Sequence, residues 1–264
     1  MKERIITGVI AALLFIGVTV YGHLPFALVI IALAVIGIHE LLKMKHISLL
    51  SAEGIIALLL TLATVIPQDW KEQYLGSFTG SQPIVLAMLL ILVVTVITKN
   101  RFTFDDAGFV ILSSLYVGYG FHYIYETRML EHGLPILFFV LFMIWGADSG
   151  AYFTGKSIGK TKLWPVISPN KTIEGAIGGI VTSIVVGVIC YFTDFVPFTL
   201  NQVLSMALIA GIFGQIGDLA QSAFKRHYGV KDSGNLLPGH GGILDRTDSW
   251  LFVLPLLHIL NLLS

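Results

Sequence analysis

Between Ser222 and Asp248 the chain reads SAFKRHYGVKDSGNLLPGHGGILDRTD. Lys225, Arg226, Lys231, Asp232, Asp245, Arg246 and Asp248 crowd into this stretch, in a protein whose charged residues make up only 12% of the total. Apolar runs flank it on both sides. Ionisable groups set against a bilayer are costly, and they mark function. Cations interleaved with carboxylates around a Gly-rich turn suit a metal-assisted reaction on phosphates.

Spacing sharpens that reading. If the apolar run before this stretch continues as a helix, Asp218, Ser222 and Lys225 fall at i, i+4 and i+7 on one stripe. Cations at a helix end can simply snorkel to the interface. That explains Lys225 and Arg226 but not Asp218, which lies on the apolar side of them. Further on, Pro238 breaks the helix, and Gly239, Gly241 and Gly242 free the backbone to bring N–H groups near an anion. His240 is placed to donate to a phosphate oxygen, and Arg246 offers a planar fork for one. Asp245 and Asp248, three apart, share a face if a helix starts there and are candidate oxygen ligands for a divalent cation. Acids that merely favour a helix N-terminus account for Asp248 but not for the whole set.

A second polar stretch lies upstream. WGADSGAYFTGKSIGKTKLW places Asp148 inside an apolar helix. Gly150 to Ser157 fits the pattern G-x-x-x-x-G-K-[ST] of a nucleotide-binding P-loop. That loop needs a strand before it and a helix after it, and here a span-length apolar run precedes it. The match is therefore set aside, while Lys156, Lys160 and Lys162 remain available to phosphates or anionic lipid heads. SPNKTIEG follows, with Ser168 or Asn170 expected to cap a helix whose first turn holds Glu174. The helix dipole disfavours a cation in that turn, so Lys171 is a candidate for a ligand anion. His39 and Glu40 close an apolar run and read as interfacial residues.

The elements that must position these groups are membrane helices. The chain has 264 residues, 55% of them hydrophobic, too apolar and too poor in charge for a soluble domain. Nine apolar segments are legible: Ile5–Gly22, Leu24–Leu42, Leu49–Ile66, Pro83–Thr98, Ala107–Tyr125, Leu134–Thr154, Gly175–Phe192, Leu200–Gly217 and Ser249–Leu263. The third contains Glu53 and the last is short. With a cytoplasmic N-terminus and alternating spans, 14 of the 16 Lys and Arg residues fall on the cytoplasmic side, leaving Lys71 and Arg128 outside. This predicts an all-α polytopic membrane protein of about nine spans, N-in and C-out, with the polar stretches at the cytoplasmic face of the cell membrane. The N-terminal run lacks a cleavage site and reads as an uncleaved first span.

The whole of 1–264 reads as one membrane domain, with N-terminal spans over 1–130 and the polar loops and their spans over 134–264. Gly175, Gly178 and Gly179, and Gly211, Gly214 and Gly217, line helix faces suited to close packing within the chain, with a homodimer interface or a substrate groove as the alternatives. Zero net charge gives no field for nucleic acid, and the single cysteine, Cys190, excludes an intrachain disulfide.

The run S-x-F-K-R-x4-K-D-x-G-x3-P-G-H-G-G-x2-D-R-x-D, Ser222 to Asp248, resembles the signature of the phosphatidate cytidylyltransferases, the membrane CDP-diacylglycerol synthases. WGADSGAYFTGKSIGKTK and SPNKTIEG resemble that family as well, so the likeness is most specific over Asp148–Asp248. The resemblance implies transfer of a cytidylyl group from CTP to phosphatidate with Mg²⁺, with or without a second cation, at a membrane-lipid surface. Asp218 and Asp245 are then the leading metal ligands, followed by Asp248 and Asp148. Lys225, Arg226, Lys231, His240 and Arg246 would neutralise phosphates beside Asp232, and Ser222 would hydrogen-bond a phosphate or a metal-bound water. Lys171, Gly241 and Gly242 would hold the nucleotide. The competing reading is a secondary transporter with an intramembrane carboxylate relay through Asp148 and Asp218.

Overall fold

A computed structural model describes residues 2–76, 78, 80–236, 239 and 241–263, without the side chains of residues 2–7 and 75. Two compact units emerge. The first comprises Met1–Glu126 and Asp232–Leu244, the second Thr127–Lys231 and Asp245–Ser264.

The first unit is built from α1 (Lys2–Tyr21), α2 (His23–Met44), α3 (Ala52–Val65), α4 (Gln68–Leu75), α5 (Gln82–Ile97) and most of α6 (Phe104–Met129). Its core includes Phe26, Ile30, Ile38, Leu41, Leu60 and Phe121, all buried. Ser51 caps α3 by accepting from the Gly54 N–H. Glu53 therefore lies in a first turn, where the helix dipole favours an acid, and not in the middle of a span. Pro67 separates α3 from α4, and the two are bent by 111°.

The second unit holds α7 (Gly133–Ile158), β1 (Lys162–Trp164), β2 (Ser168–Thr172), α8 (Ile173–Phe192), α9 (Leu200–His227), α10 (Leu244–Thr247, whose first residue ends the first unit) and α11 (Trp250–Ile259). The strands form an antiparallel hairpin with Lys162 opposite Thr172 and Trp164 opposite Ser168. This small element departs from the all-α expectation, and it matters for the site below.

Small residues set the helix spacing. On α8, Gly175, Gly179, Ser183 and Gly187 form a buried stripe, while Val181, Val185 and Ile189 are exposed on another face. A Cβ at Gly150 of α7 would collide with Thr182, and one at Gly178 of α8 with Thr154. Lipid tails are as apolar as leucine, so close backbone packing of this kind holds membrane helices together. Gly211 likewise abuts Ile180, with 2.9 Å between a built Cβ and the Ile180 Cα. The glycine faces thus serve packing within the chain.

Each of the nine apolar segments coincides with a helix. Among the described residues, α2, α6, α7, α8 and α9 are long and apolar enough to cross a membrane, and α3 with α4 makes a sixth span if the bent pair counts as one. The 16 residues of α5 and the 10 of α11 rise only about 24 Å and about 15 Å, against a hydrocarbon core of about 30 Å. By length and composition these helices fit a multi-pass helical membrane protein.

Candidate active site

Four carboxylates singled out by sequence, Asp148, Asp218, Asp245 and Asp248, converge on one cavity of about 530 Å³ in the second unit. Asp148 and Lys156 from α7, Lys171 and Thr172 from β2, Gln215 and Asp218 from α9, Asp245 from α10, and Asp248 and Ser249 beyond it all line the cavity.

Each arrives by a local cause. Helix α9 runs unbroken through the polar residues, so Asp218, Ser222 and Lys225 share a stripe as their spacing predicts. The Ser222 hydroxyl lies 3.4 Å from Asp218 Oδ1. Gly217 lets α9 approach the backbone at Asp248, since a Cβ there would sit 2.6 Å from the Asp248 carbonyl oxygen. Ser249 fastens this contact by donating its hydroxyl to the Gly214 carbonyl at 2.9 Å. On the other side, the Gln215 amide donates to the carbonyls of Ala176 at 3.1 Å and Gly211 at 2.7 Å. The Ser183 hydroxyl donates to Ala207 O at 2.8 Å. These bonds hold α8 and α9 in register beneath the cavity.

The hairpin supplies Lys171. Thr172, not Ser168 or Asn170, caps α8, accepting from the Gly175 N–H at 3.1 Å. Ser168 and Asn170 lie in β2, where extended backbone carries them away from the capping position. Lys171 is therefore a strand residue and not part of a helical first turn. Glu174 accepts from the N–H groups of Lys160 and Thr161 and ties the hairpin's approach to the start of α8. The result is an ion pair of 2.6 Å between Lys171 Nζ and Asp218 Oδ2. A second pair joins Lys225 Nζ to Asp245 Oδ1 at 2.6 Å, with both side chains largely buried. Two carboxylates are thus each held by a lysine.

Asp248 feels its neighbours. Burial raises its carboxyl from the ordinary range to about 7, and repulsion from Asp218 and Asp148 adds to this, while the Ser249 N–H and Lys225 oppose it. Three acids therefore share one field, in which an added cation would be strongly favoured.

The donors on this cavity suit Mg²⁺. Among the described residues, no three His, Cys, Asp or Glu side chains close a cage around an ion. Mg²⁺ does not require one, because it takes one or two carboxylates together with waters and substrate phosphates. Four aspartates on one cavity are hard oxygen donors of the right kind.

Other sequence candidates lie elsewhere. Arg226, Lys231 and Arg246 are exposed, outside the cavity lining. Asp232 is exposed on the first unit, and His240 lies outside the described residues. Gly241 and Gly242 were expected to bring N–H groups to a ligand anion. The N–H groups just beyond them, of Ile243 and Leu244, instead meet the carboxylate of Glu40. Glu40 itself is buried and not interfacial.

Tyr152, Asn170 and Gln215 line the cavity and were missed. For Tyr152 the signal was present. Asp148, Tyr152 and Lys156 are spaced i, i+4 and i+8 on α7, and Lys156 Nζ sits 5.8 Å from the Tyr152 ring centroid. The P-loop-like stretch is thus helical and contributes through one helix face.

The chain is similar to known proteins along its whole length. The chain is 48% identical over 261 residues to a phosphatidate cytidylyltransferase of Bacillus subtilis (strain 168), covering 98% of this chain and 97% of that protein. It is 47% identical over 265 residues to one from Staphylococcus haemolyticus (strain JCSC1435), covering 98% of each. A third, from Staphylococcus aureus (strain COL), is 44% identical over 269 residues and covers the whole of both chains. The profile of the Cytidylyltransferase family matches residues 2–263, nearly the full length. With that match over nearly its whole length, and with Asp245 and Asp248 of its signature on one cavity beside Asp218, the chain belongs to the cytidylyltransferase family.

Proposed function

We propose that this protein transfers a cytidylyl group from CTP to phosphatidate, giving CDP-diacylglycerol and pyrophosphate, and that the cavity of the second unit is where it does so. The observation that carries the reading is the lysine–aspartate pairing, Lys171 with Asp218 and Lys225 with Asp245, on a cavity shared with Asp148 and Asp248.

In the reaction a phosphate oxygen of phosphatidate attacks the α-phosphorus of CTP. A new P–O bond forms as the bond to the β-phosphate oxygen breaks, and pyrophosphate leaves. Both partners are anions, so the main task is to hold two polyanions together in line. Lys171 and Lys156 at the wall can turn to incoming phosphates, and Lys225 stands behind Asp245 as a further countercharge. Ser222 supports Asp218 and offers a donor beside it. Asp218 and Asp245, with Asp248 and Asp148, would hold Mg²⁺, which when bound supplies further charge neutralisation at the phosphates. Arg226, Lys231 and Arg246, exposed on the same unit, would meet phosphate from outside the cavity. Phosphatidate brings its own nucleophile, so no covalent enzyme intermediate is required.

The site would face the cytoplasm in a nine-span, N-in and C-out arrangement, a reading supported by the 14-to-2 partition of Lys and Arg. Cysteines introduced at Lys162 and Lys231, after Cys190 is replaced, should label only from the cytoplasmic side.

Purified protein given CTP labelled at the α-phosphate, phosphatidate and Mg²⁺ should release lipid-soluble label. Diacylglycerol should not replace phosphatidate, because it lacks the attacking phosphate. A CTP chiral at the α-phosphorus should give inverted product. No transfer to lipid would overturn the function, and retention would overturn direct displacement.

A further inference from the structure

The first unit contains a buried carboxylate with no role in the chemistry above. Glu40, near the end of α2, is only 4% exposed. Its Oε1 accepts from the Ile243 N–H at 2.8 Å. Its Oε2 accepts from the Ser233 hydroxyl at 2.7 Å and the Leu244 N–H at 3.1 Å. Glycines seal the arrangement. A Cβ at Gly234 would come within 2.6 Å of Oε1, and one at Gly242 would collide with both oxygens. Gly241 takes φ +85°, which a side chain would resist, and so turns the chain toward the acid.

We propose that Glu40 is a positioning residue for cytidylyl transfer: it clamps the Gly-rich loop so that Asp245 starts α10 in a fixed direction. The inference rests on the function proposed above. The loop has the backbone character of an anion-binding turn, and in this structure the anion it meets is the chain's own Glu40. Leu244 is the first residue of α10 and Asp245 the second. The opening N–H groups of a helix have no partner within it. Glu40, 204 residues away in sequence from Leu244, supplies one. A four-residue helix has too few internal bonds to fix its own start. The external acceptor therefore sets the direction in which the backbone of Leu244 enters Asp245.

Ser233→Ala removes the hydroxyl bond to Oε2, while Glu40→Gln replaces one acceptor oxygen by a donor that opposes the Leu244 N–H. Two readouts are needed. The first is amide hydrogen exchange across residues 241–248 in the metal-free, full-length protein in nanodiscs. Glu40→Gln should speed exchange in this segment by about tenfold or more, and Ser233→Ala by less, with α7 and α8 unchanged. The second is transfer from labelled CTP. Glu40→Gln should lower kcat by about tenfold and raise the half-saturating Mg²⁺, leaving KM for phosphatidate unchanged. Ser233→Ala should move the same quantities in the same direction, and it decides the matter if Glu40→Gln does not fold. Unchanged exchange would overturn the clamp. Faster exchange with wild-type kcat and Mg²⁺ dependence would make Glu40 a structural residue and overturn its positioning role. If the wild type itself transfers nothing to lipid, the proposed function fails, and the exchange arm still reports on the clamp.

Discussion

Two regions use the same chemical group in opposite ways. In the first unit, Glu40 gives its oxygens to a hydroxyl and two backbone N–H groups, all neutral, and glycines close over it. In the second, Asp218 and Asp245 each face a lysine on a cavity. Backbone donors cannot leave, so the Glu40 carboxylate orders a loop. Lysine side chains are flexible, so the countercharges of Asp218 and Asp245 are less fixed than backbone donors. A buried charge met by fixed dipoles builds structure. One met by mobile countercharge at a solvent-reachable wall is available for exchange, and with it for chemistry.

Substitutions can break or sharpen this contrast. The largest effect is expected from Asp218→Asn and Asp245→Asn, which keep size and remove charge. Each should lower turnover by about a hundredfold or more, with the Tm of Asp218→Asn close to wild type. Glu40→Ala should instead destabilise the fold by about 3 kcal/mol, because it leaves buried donors without an acceptor. Thermal unfolding beside labelled-CTP turnover would separate the two classes, and an Asp218→Asn variant that loses Tm as Glu40→Ala does would erase the distinction.

Lys225→Met should be next. It removes the countercharge of a largely buried aspartate, and KM for CTP should rise about tenfold. Gly217→Ala comes third. The added Cβ would force α9 away from Asp248 and cost about 1–3 kcal/mol with a parallel loss of turnover. Gly108→Ala on α6, with open space around its Cβ, should be neutral or slightly stabilising by comparison.

The smallest effect is the pH response of Asp248. Its carboxyl is raised to about 7 by burial and by Asp218 and Asp148, so it is mostly protonated at pH 6 and ionised at pH 8. Only the ionised form attracts a cation. The Mg²⁺ needed for half-maximal rate should therefore fall several-fold as pH rises from 6 to 8. In Asp248→Asn that slope should flatten. An unchanged slope would assign the titration to another group.

Much of this protein was determined by sequence alone. Apolar runs long enough to meet a bilayer located the helices, because no other feature of a chain is so strongly periodic or so long. The spacing of Asp218, Ser222 and Lys225 put them on one face, since helical geometry is local. Charges gathered against apolar segments marked Asp148, Asp218, Asp245 and Asp248 as functional, because the cost of burying charge is legible in composition. Tertiary structure decided the pairings. Nothing local tells Lys171 to meet Asp218, 47 residues later, or Glu40 to meet Leu244, 204 residues later. Both depend on how closely helices and loops approach. Glycines govern that approach by what they lack, and their targets become definite only once the chain is packed. The cap of α8 moved to Thr172 for a related reason: a hairpin whose pairing is not local kept Ser168 and Asn170 extended. Sequence thus determined which residues could do chemistry, and packing decided which of them are paired.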